Sequence, residues 1–295
     1  MAEVQIVARA TDPNYGGAAA RLGAIAGGYH RVCHRPLPRY PRDPGVVGTV
    51  IDVKATGSVH VLTLSSGRVN ALDVDLLGEL TEVVARLAQS GGEALVITGG
   101  GKVFSAGVDL NRVVEGGSAY TDRLVPALSD AFEAVFGYPG PTVAAINGAA
   151  IAGGCVLACA CDWRLASPEA QIGAAEVRVG VAFPVAALEV IRYACGDHAE
   201  EVVLGARNYR GDDAVARGLA HRVVADDVLG AAVAEATDLA AIPPQAYGHT
   251  KFQLRGPALA RIRAAADIDG EVREIWGAPR TLRGIADYVE RLRRR

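Results

Sequence analysis

The stretch that decides the fold is Asn147-Gly148-Ala149-Ala150-Ile151-Ala152-Gly153-Gly154-Cys155. It follows the apolar run Thr142–Ile146 and leads into small apolar residues up to Cys161. This order is typical of a glycine-rich turn between a buried strand and a helix. A helix N-terminus presents unpaired N–H groups and a positive dipole end, which suit an anionic oxygen. Taken alone, the stretch fits both such a site and a closely packed turn.

Strand and helix patterns alternate on both sides of this turn. Runs rich in β-branched residues predict strands, and apolar residues at helical spacing predict amphipathic helices. Such alternation is typical of an α/β fold. The predicted elements are a hairpin of Thr49–Val53 and Val59–Leu64, helices over Asp73–Gln89, Tyr120–Tyr138 and Gly153–Cys161, and strands over Ala94–Thr98, Thr142–Ile146 and Asp162–Ala166.

Three regions divide the 295 residues. Residues 1–46 hold six Arg against three acidic residues and lack a periodic apolar pattern, so we expect a poorly ordered extension. Residues 47–241 carry the alternating pattern and form the predicted core. Residues 242–295 show helical patterns only, with predicted breaks at Pro243-Pro244, Pro257 and Pro279.

Composition narrows the class of protein. Hydrophobic residues make up 50% and charged residues 21%, which favours a soluble globular protein with a sizeable core. The net charge of −3 argues against a general nucleic-acid binder, and the basic run Arg291–Arg295 is interpreted as a solvated helix end. The segment Val143–Cys161 is rich in Ala and Gly, so we interpret it as strand, turn and helix and expect no membrane span.

The five cysteines favour a reducing cytoplasm, because their number is odd and no signal-like N-terminus is visible. Cys155, Cys159 and Cys161 lack the paired spacing of zinc ligands and lie among Ala, Leu and Val. Cysteine in such surroundings behaves as a small hydrophobic residue. We therefore expect no metal site.

An earlier loop in the chain, here named the first loop, follows a buried strand; it is Phe104-Ser105-Ala106-Gly107-Val108-Asp109-Leu110. Ser105 lacks the G-x-S-x-G frame of a nucleophile, so the loop also fits a tight turn whose small residues let a ligand approach the backbone. The preceding Gly99-Gly100-Gly101-Lys102 is not a phosphate-binding loop, since Val96 and Val103 occupy positions that need Gly and Ser or Thr.

Glu176 is the third candidate. It lies in a segment, residues 172–180, that is otherwise poor in acids and rich in small apolar residues. A carboxylate in apolar surroundings has its charged form disfavoured, which suits a general base. A surface glutamate is the alternative.

Together the three segments resemble the crotonase (enoyl-CoA hydratase/isomerase) family in order and spacing over roughly Val47 to Val224. The family's patterns N-A-L, C-D and G-L-V-x-x-V-V are matched at Asn70-Ala71-Leu72, Cys161-Asp162 and Gly218–Val224. This resemblance implies a spiral core of repeated β-β-α turns followed by C-terminal helices at subunit interfaces. It also implies a homotrimer or hexamer.

The resemblance also implies site roles. The backbone N–H groups of Val108 and Gly153 are expected to hold a thioester oxygen, and Glu176 is expected to act as the acid/base. Hydratases of the family carry a further glutamate where this chain has Val156. Residues 152–156, 161–164 and 172–173 look similar to mitochondrial-type Δ3,Δ2-enoyl-CoA isomerases, so we expect an isomerase. A hydratase or related lyase and a non-catalytic acyl-CoA-binding protein are the alternatives.

Coenzyme A is expected as part of the substrate, and no metal or redox cofactor is implied. Family members bind the adenine end of coenzyme A partly through backbone groups near the first loop. The positions that this implies for substrate and coenzyme A are Arg68, Val69, Ala71, Ser105, Ala106, Gly107, Asp109, Leu110, Val156, Lys251 and Phe252.

Overall fold

A computed structural model describes residues 49–265 and 267–294, so the extension predicted for residues 1–46 lies outside the described residues. The strands are β1 Ile51–Thr56, β2 Val59–Leu64, β3 Ala94–Gly99, β4 Val103–Ser105, β5 Thr142–Ile146, β6 Ala149–Ile151, β7 Trp163–Ala166, β8 Ile172–Gly173 and β9 Arg222–Val223. The helices are α1 Val74–Gln89, α2 Leu110–Phe136, α3 Gly153–Ala160, α4 Glu176–Val179, α5 Val185–Cys195, α6 Ala199–Gly205, α7 Gly211–Ala216, α8 Val228–Ala240, α9 Pro244–Ala264, α10 Ile268–Gly277 and α11 Pro279–Arg293.

Pairs of strands followed by one helix repeat along the chain. The first strands of the repeats, with β2 and β9, form a six-stranded sheet in the order β1-β2-β3-β5-β7-β9. The second strands β4, β6 and β8 form a separate parallel sheet. Each β-β-α turn after the first hairpin thus adds one strand to each sheet and advances the spiral. The predicted α/β fold with β-β-α turns is confirmed.

The two faces of the larger sheet are apolar because both are covered by helices. In β2, Leu62 and Leu64 belong to the main core, while Val59 and Val61 belong to a second apolar cluster beneath α8. Alternate residues of a strand point to opposite faces, so a strand buried on both sides needs this continuous apolar sequence.

Two asparagine side chains, the buried Asn70 and the half-buried Asn147, hold the turn between the two sheets. Asn70 donates to the carbonyls of Gly100 and Val103 at 3.0 and 2.7 Å. Asn147 accepts from the N–H of Gly99 at 3.2 Å and donates to its carbonyl at 2.8 Å. These hydrogen bonds satisfy backbone groups of the turn that leads from β3 into the short strand β4. They thereby fix β4, the first strand of the second sheet, relative to the larger sheet.

The second helix begins earlier than predicted. It starts at Leu110, ten residues before Tyr120, and non-helical torsion angles at Gly117 (φ 56°, ψ −146°) divide it. Glycine adopts such a left-handed φ without steric cost. The adjacent Gly116 and Gly117 interrupted the apolar periodicity, which is why the sequence pattern revealed only the second part.

The helix break predicted at Pro257 is wrong, because α9 continues through this residue. A proline inside a helix costs about 3 kcal/mol. The buried residues of α9 outweigh that cost, since they recur at helical spacing and lie along one face; they are Gly248, Lys251, Arg255, Ala258, Leu259 and Ile262. The breaks at Pro243-Pro244 and Pro279 are confirmed by the starts of α9 and α11.

Within the described residues, no helix combines the length and the apolar character that crossing a membrane requires. Val143–Cys161, which was interpreted as strand, turn and helix, contains most of β5, all of β6 and α3.

Candidate active site

The carboxyl ends of the three-stranded sheet bring the sequence-predicted loops together. Ser105 of β4 pairs with Ala150 of β6, and Ile151 of β6 pairs with Gly173 of β8. Because the strands are parallel, the segments that follow them leave the sheet at the same edge. Ligand sites in parallel sheets commonly lie at this edge. The loop at residue 106, the turn at residue 152 and the segment leading to Glu176 all meet there.

The backbone N–H of Val108 faces away from the segment around Leu72, which runs beside it. Leu72 donates to the carbonyl of Gly107 at 2.8 Å and accepts from the N–H of Asp109 at 3.0 Å. These bonds use the backbone groups on either side of the Val108 N–H, as in a parallel bridge. The Val108 N–H therefore points to the other side, where Val108 lines a pocket.

Gly153 supplies a second N–H to the same pocket. It is the first residue of α3, so its N–H has no partner one turn earlier in the helix. The preceding residue, Ala152, has φ 52° and ψ −125°, a left-handed conformation that is strained for a residue with a Cβ. The Ala152 N–H donates to the carbonyl of Gly173 at 2.7 Å, which holds this turn against the end of β8.

Gly107 allows the two N–H donors to lie close together. Its φ is +84°, and a Cβ there would lie 2.7 Å from the carbonyl oxygen of Ile151 and 3.4 Å from the nitrogen of Gly153. Any side chain at this position would force the first loop away from the start of α3. Two backbone N–H groups arranged in this way can stabilise a negatively charged oxygen.

Glu176 begins the single-turn helix α4 and is 8% exposed. Among the described residues its buried Oε2 has no hydrogen-bond partner. Burial raises the pKa of this carboxyl to about 8, and a hydrogen bond to its own backbone offsets part of that rise. A carboxyl group with a pKa near neutrality can both take and return a proton.

The two N–H donors and Glu176 face one pocket of about 80 Å³. Of the described residues that line it, Glu176 alone carries a carboxyl group, and the other walls are mostly aliphatic and aromatic. The arrangement is suited to removing a proton next to a carbonyl whose developing negative charge the N–H groups stabilise. The lining residues are Ala106, Val108, Leu110, Leu128, Phe132, Ile151, Ala152, Gly153, Ala175, Glu176, Val179, Val181, Pro184, Ala187, Trp276 and Tyr288.

Several other predicted site residues stabilise the first loop through hydrogen bonds or line the pocket. The buried Ser105 hydroxyl donates to the carbonyl of Asn70 at 2.7 Å and accepts from the N–H of Gly107. The Asp109 carboxylate caps α2 by accepting from the N–H groups of Asn111 and Arg112 at 3.0 and 3.2 Å. Ala106 and Leu110 line the pocket.

The remaining predicted positions lie away from the pocket lining. Arg68 and Val69 are exposed, and the Val69 carbonyl accepts from the N–H of Ala106 at 3.0 Å. Ala71 is half-buried. Val156 is fully buried in α3 and does not line the pocket. Phe252 is half-buried on α9 and does not line it either.

The Lys251 ammonium group is directed into the interior, not toward this pocket. It donates to Asp162 and to the carbonyl of Gly140, both at 2.8 Å. Burial lowers the pKa of Lys251 to about 8. Burial would raise the pKa of Asp162, but the cationic Lys251 and Arg255 together hold it below its ordinary value.

Arg255 lies beside Lys251 in the same interior cluster and binds the C-terminal ends of two helices. Its guanidinium donates to the carbonyls of Phe136 and Ala160 at 2.7 and 3.0 Å and pairs with Asp162 at 2.8 Å. Phe136 and Ala160 are the last residues of α2 and α3. A cation at a helix C-terminus satisfies carbonyls that lack helical partners and opposes the negative dipole end. This cluster therefore fixes the C-termini of two helices, including α3.

Two residues of the C-terminal helices also line the pocket, and the sequence reasoning missed them. Trp276 lies on α10 and Tyr288 lies on α11. The available signal was the rarity of tryptophan, since the chain has only two. The sequence pattern predicted helices here but not the direction from which they pack.

Comparison with known proteins agrees with this geometry. The family model described as enoyl-CoA hydratase/isomerase matches residues 54–294. A relative named "Probable enoyl-CoA hydratase echA17" from Mycobacterium avium is 35% identical over 246 residues, which cover 82% of this chain and 89% of the relative. The family match extends over nearly all of the described residues, including the C-terminal helices.

Solved structures of a protein named an isomerase and of a protein named a hydratase are both similar to this chain. Human mitochondrial Δ3,Δ2-enoyl-CoA isomerase superposes with a TM-score of 0.79 at 25% identity and covers 83% of this chain and 99% of that one. An enoyl-CoA hydratase from Mycobacterium marinum gives a TM-score of 0.69 at 30% identity and covers 76% and 99%. The chain therefore belongs to the enoyl-CoA hydratase/isomerase family, the crotonases, and is an acyl-CoA enzyme, a hydratase or an isomerase.

Proposed function

We propose that the protein is a Δ3,Δ2-enoyl-CoA isomerase that uses Glu176 as its acid/base. The observation that carries the proposal is the polarity of the pocket. Glu176 is the carboxyl group among the lining residues, its Oε2 lacks a hydrogen-bond partner in the described structure, and aliphatic and aromatic side chains surround it.

The reaction moves one proton. The Glu176 carboxylate removes a proton from C2 of a 3-enoyl-CoA, and the electron pair spreads over C2, C3, C4 and the thioester oxygen. The N–H groups of Val108 and Gly153 stabilise the negative charge on that oxygen. Glu176 then returns the proton to C4, which leaves the double bond between C2 and C3. Atoms and charge balance without a further reactant.

Hydration needs a water molecule held beside the double bond, and a second carboxyl group is the natural holder. At the position where the resemblance implies that carboxyl group, the chain has Val156, which is fully buried. The pocket lining offers an incoming water few polar partners apart from Glu176. A buried water typically makes about three hydrogen bonds, so this site favours isomerisation over hydration.

The test compares the two substrates directly. Purified protein is incubated separately with a 3-enoyl-CoA and a 2-enoyl-CoA, and the products are followed by mass spectrometry. Isomerisation conserves mass, whereas hydration adds one water. We expect rapid conversion of the 3-enoyl-CoA at constant mass. Efficient formation of the hydrated product from the 2-enoyl-CoA would replace the isomerase assignment with a hydratase.

The proposal includes assembly as a homotrimer or hexamer. Its support is a set of exposed apolar side chains around one cavity beside α5 and α9, namely Tyr193, Ile242 and Leu254. Clustered exposed apolar residues commonly mark contact surfaces. Light scattering after size-exclusion chromatography is expected to give three or six times the mass of one chain, and Leu254→Asp is expected to lower it. A monomeric mass for the unaltered chain would contradict this assembly.

A further inference from the structure

The active-site pocket is small for an acyl-CoA enzyme. Its volume is about 80 Å³, whereas ligand pockets usually hold about 300–1,000 Å³. On this measure of volume one water molecule needs about 10–15 Å³, and a methylene group is of similar size, so the pocket holds only a handful of such groups. In the proposed reaction the N–H groups of Val108 and Gly153 hold the thioester oxygen. The acyl chain then extends from that point into the pocket, which has space for only the next few carbons.

Trp276 forms a wall that is fixed in place. It is 2% exposed, and its indole N–H donates to the carbonyl of Ala182 at 2.8 Å. That carbonyl lies on the segment that connects α4, which carries Glu176, to α5. The wall is therefore hydrogen-bonded to the segment that follows the helix of Glu176.

The helix that carries Trp276 is anchored at both ends. Near its start, the Asp269 carboxylate accepts from the Val185 N–H at 2.8 Å and from the Ser129 hydroxyl at 3.1 Å. At its end, Gly277 packs so closely on α2 that an added Cβ would lie 3.0 Å from the side chain of Ser118. These contacts hold helix α10 against α2 and the start of α5.

Tyr288 closes the pocket from α11 and is held less firmly. It is half-buried, and the one fully buried side chain of its helix is Ile285. Its ring stacks on no other aromatic ring in the described structure, and Arg291 lies 5.8 Å from its centroid. Trp276 thus forms the rigid part of the boundary and Tyr288 the part that a substitution can remove with less disturbance.

We propose that Trp276 and Tyr288 set an upper limit on acyl length, so that the enzyme selects short acyl groups of roughly four to six carbons. This inference rests on the proposed function for the identity of the reaction, but the size limit applies to any acyl-CoA bound with its thioester at the two N–H groups. The residues act by excluding volume and take no part in proton transfer.

The experiment measures binding without turnover. Saturated butanoyl-, hexanoyl-, octanoyl- and dodecanoyl-CoA cannot isomerise, and their dissociation constants are determined by calorimetry for the unaltered chain and for Trp276→Ala and Tyr288→Ala. Trp163→Ala is the matched control, because Trp163 is an exposed residue that stacks on His221 at 4.8 Å and lies outside the pocket lining.

We expect dodecanoyl-CoA to bind the unaltered chain at least about tenfold more weakly than hexanoyl-CoA, and each pocket variant to reduce that ratio severalfold. The control is expected to keep the ratio. Equal binding of the two thioesters by the unaltered chain would overturn the proposal, as would an unchanged ratio in Tyr288→Ala, which decides the matter if Trp276→Ala does not fold. A clear size limit without isomerisation of 3-hexenoyl-CoA would refute the proposed reaction and leave this inference standing.

Discussion

Replacing Glu176 with glutamine is expected to make the protein inactive and more stable at once. Glutamine keeps the size of the side chain but cannot take up a proton. A general acid–base group contributes roughly 10²–10⁴-fold to the rate, so the isomerase activity is expected to fall by at least that factor. The gain in stability follows from the burial of Glu176, which is 8% exposed in an apolar pocket.

The size of that gain follows from proton uptake. Folding raises the pKa of Glu176 from its ordinary 4.5 to about 8. The folded state therefore binds a proton that the unfolded state has released, and stability falls as pH rises from 4.5 to 8. Each pKa unit corresponds to about 1.4 kcal/mol, so the cost reaches about 3 kcal/mol by pH 7. Glutamine has no such cost, and the pH dependence is expected to disappear with the carboxyl group.

Urea unfolding followed by circular dichroism, at one protein concentration and at several pH values between about 5 and 9, measures this difference. The advantage of Glu176→Gln is expected to be small near pH 5, to grow toward pH 8 and then to level off. Glu169→Gln is the matched control, because Glu169 is exposed and its neutralisation removes no buried charge. A difference in stability that does not change with pH, or a variant with near-normal activity, would refute the reasoning.

Further predictions concern the same site and its support. The kcat/KM of the unaltered enzyme is expected to rise with pH and to level off above about 8, since the carboxylate form of Glu176 is the base; a profile that is flat between pH 6 and 9 would contradict this. Arg255→Met is expected to lower the free energy of unfolding by about 3–5 kcal/mol, because it leaves buried Asp162 with one cation fewer, and a loss below 1 kcal/mol would show that the cluster is not needed. Val156→Glu is expected to lower the melting temperature, because Val156 is fully buried, and to raise hydration of 2-enoyl-CoA above the level of the unaltered enzyme; unchanged hydration would show that this position does not control the reaction. Dialysis against EDTA is expected to leave the isomerase rate unchanged, and loss of activity restored by a divalent cation would contradict the expected absence of a metal.

The predicted loops that the structure brings together at one pocket are those that depend on local backbone. Gly107 and Gly153 are needed where two loops approach closely, and a Cβ at either would lie within 3.0 Å of a neighbouring atom. Such requirements leave a readable pattern of small residues. Glu176 was a candidate for a different local reason: a single acidic residue within a segment of small apolar residues is unusual.

The sequence did not predict contacts made across long distances in the chain. Lys251 was expected near the nucleotide, yet the structure pairs it with Asp162, 89 residues earlier. Trp276 and Tyr288 reach the pocket only because α10 and α11 fold back over α2. Helical periodicity gives the apolar face of each helix but not the surface that it covers. Residues contributed by such packing have no local pattern.

The division of labour between backbone and side chains explains how one fold supports both named activities. In the proposed mechanism the oxyanion hole consists of main-chain N–H groups, which a side-chain substitution does not remove, and Gly107 together with the strained Ala152 fixes their direction. The identity of the reaction then depends on the few side chains that exchange protons or hold water near the bound thioester. Among the described residues that line the pocket, Glu176 is the one with a carboxyl group, and the apolar surroundings that raise its pKa also disfavour a bound water. Under the proposed mechanism, the same burial that suits Glu176 to act as a base thus favours proton transfer within the substrate over addition of water.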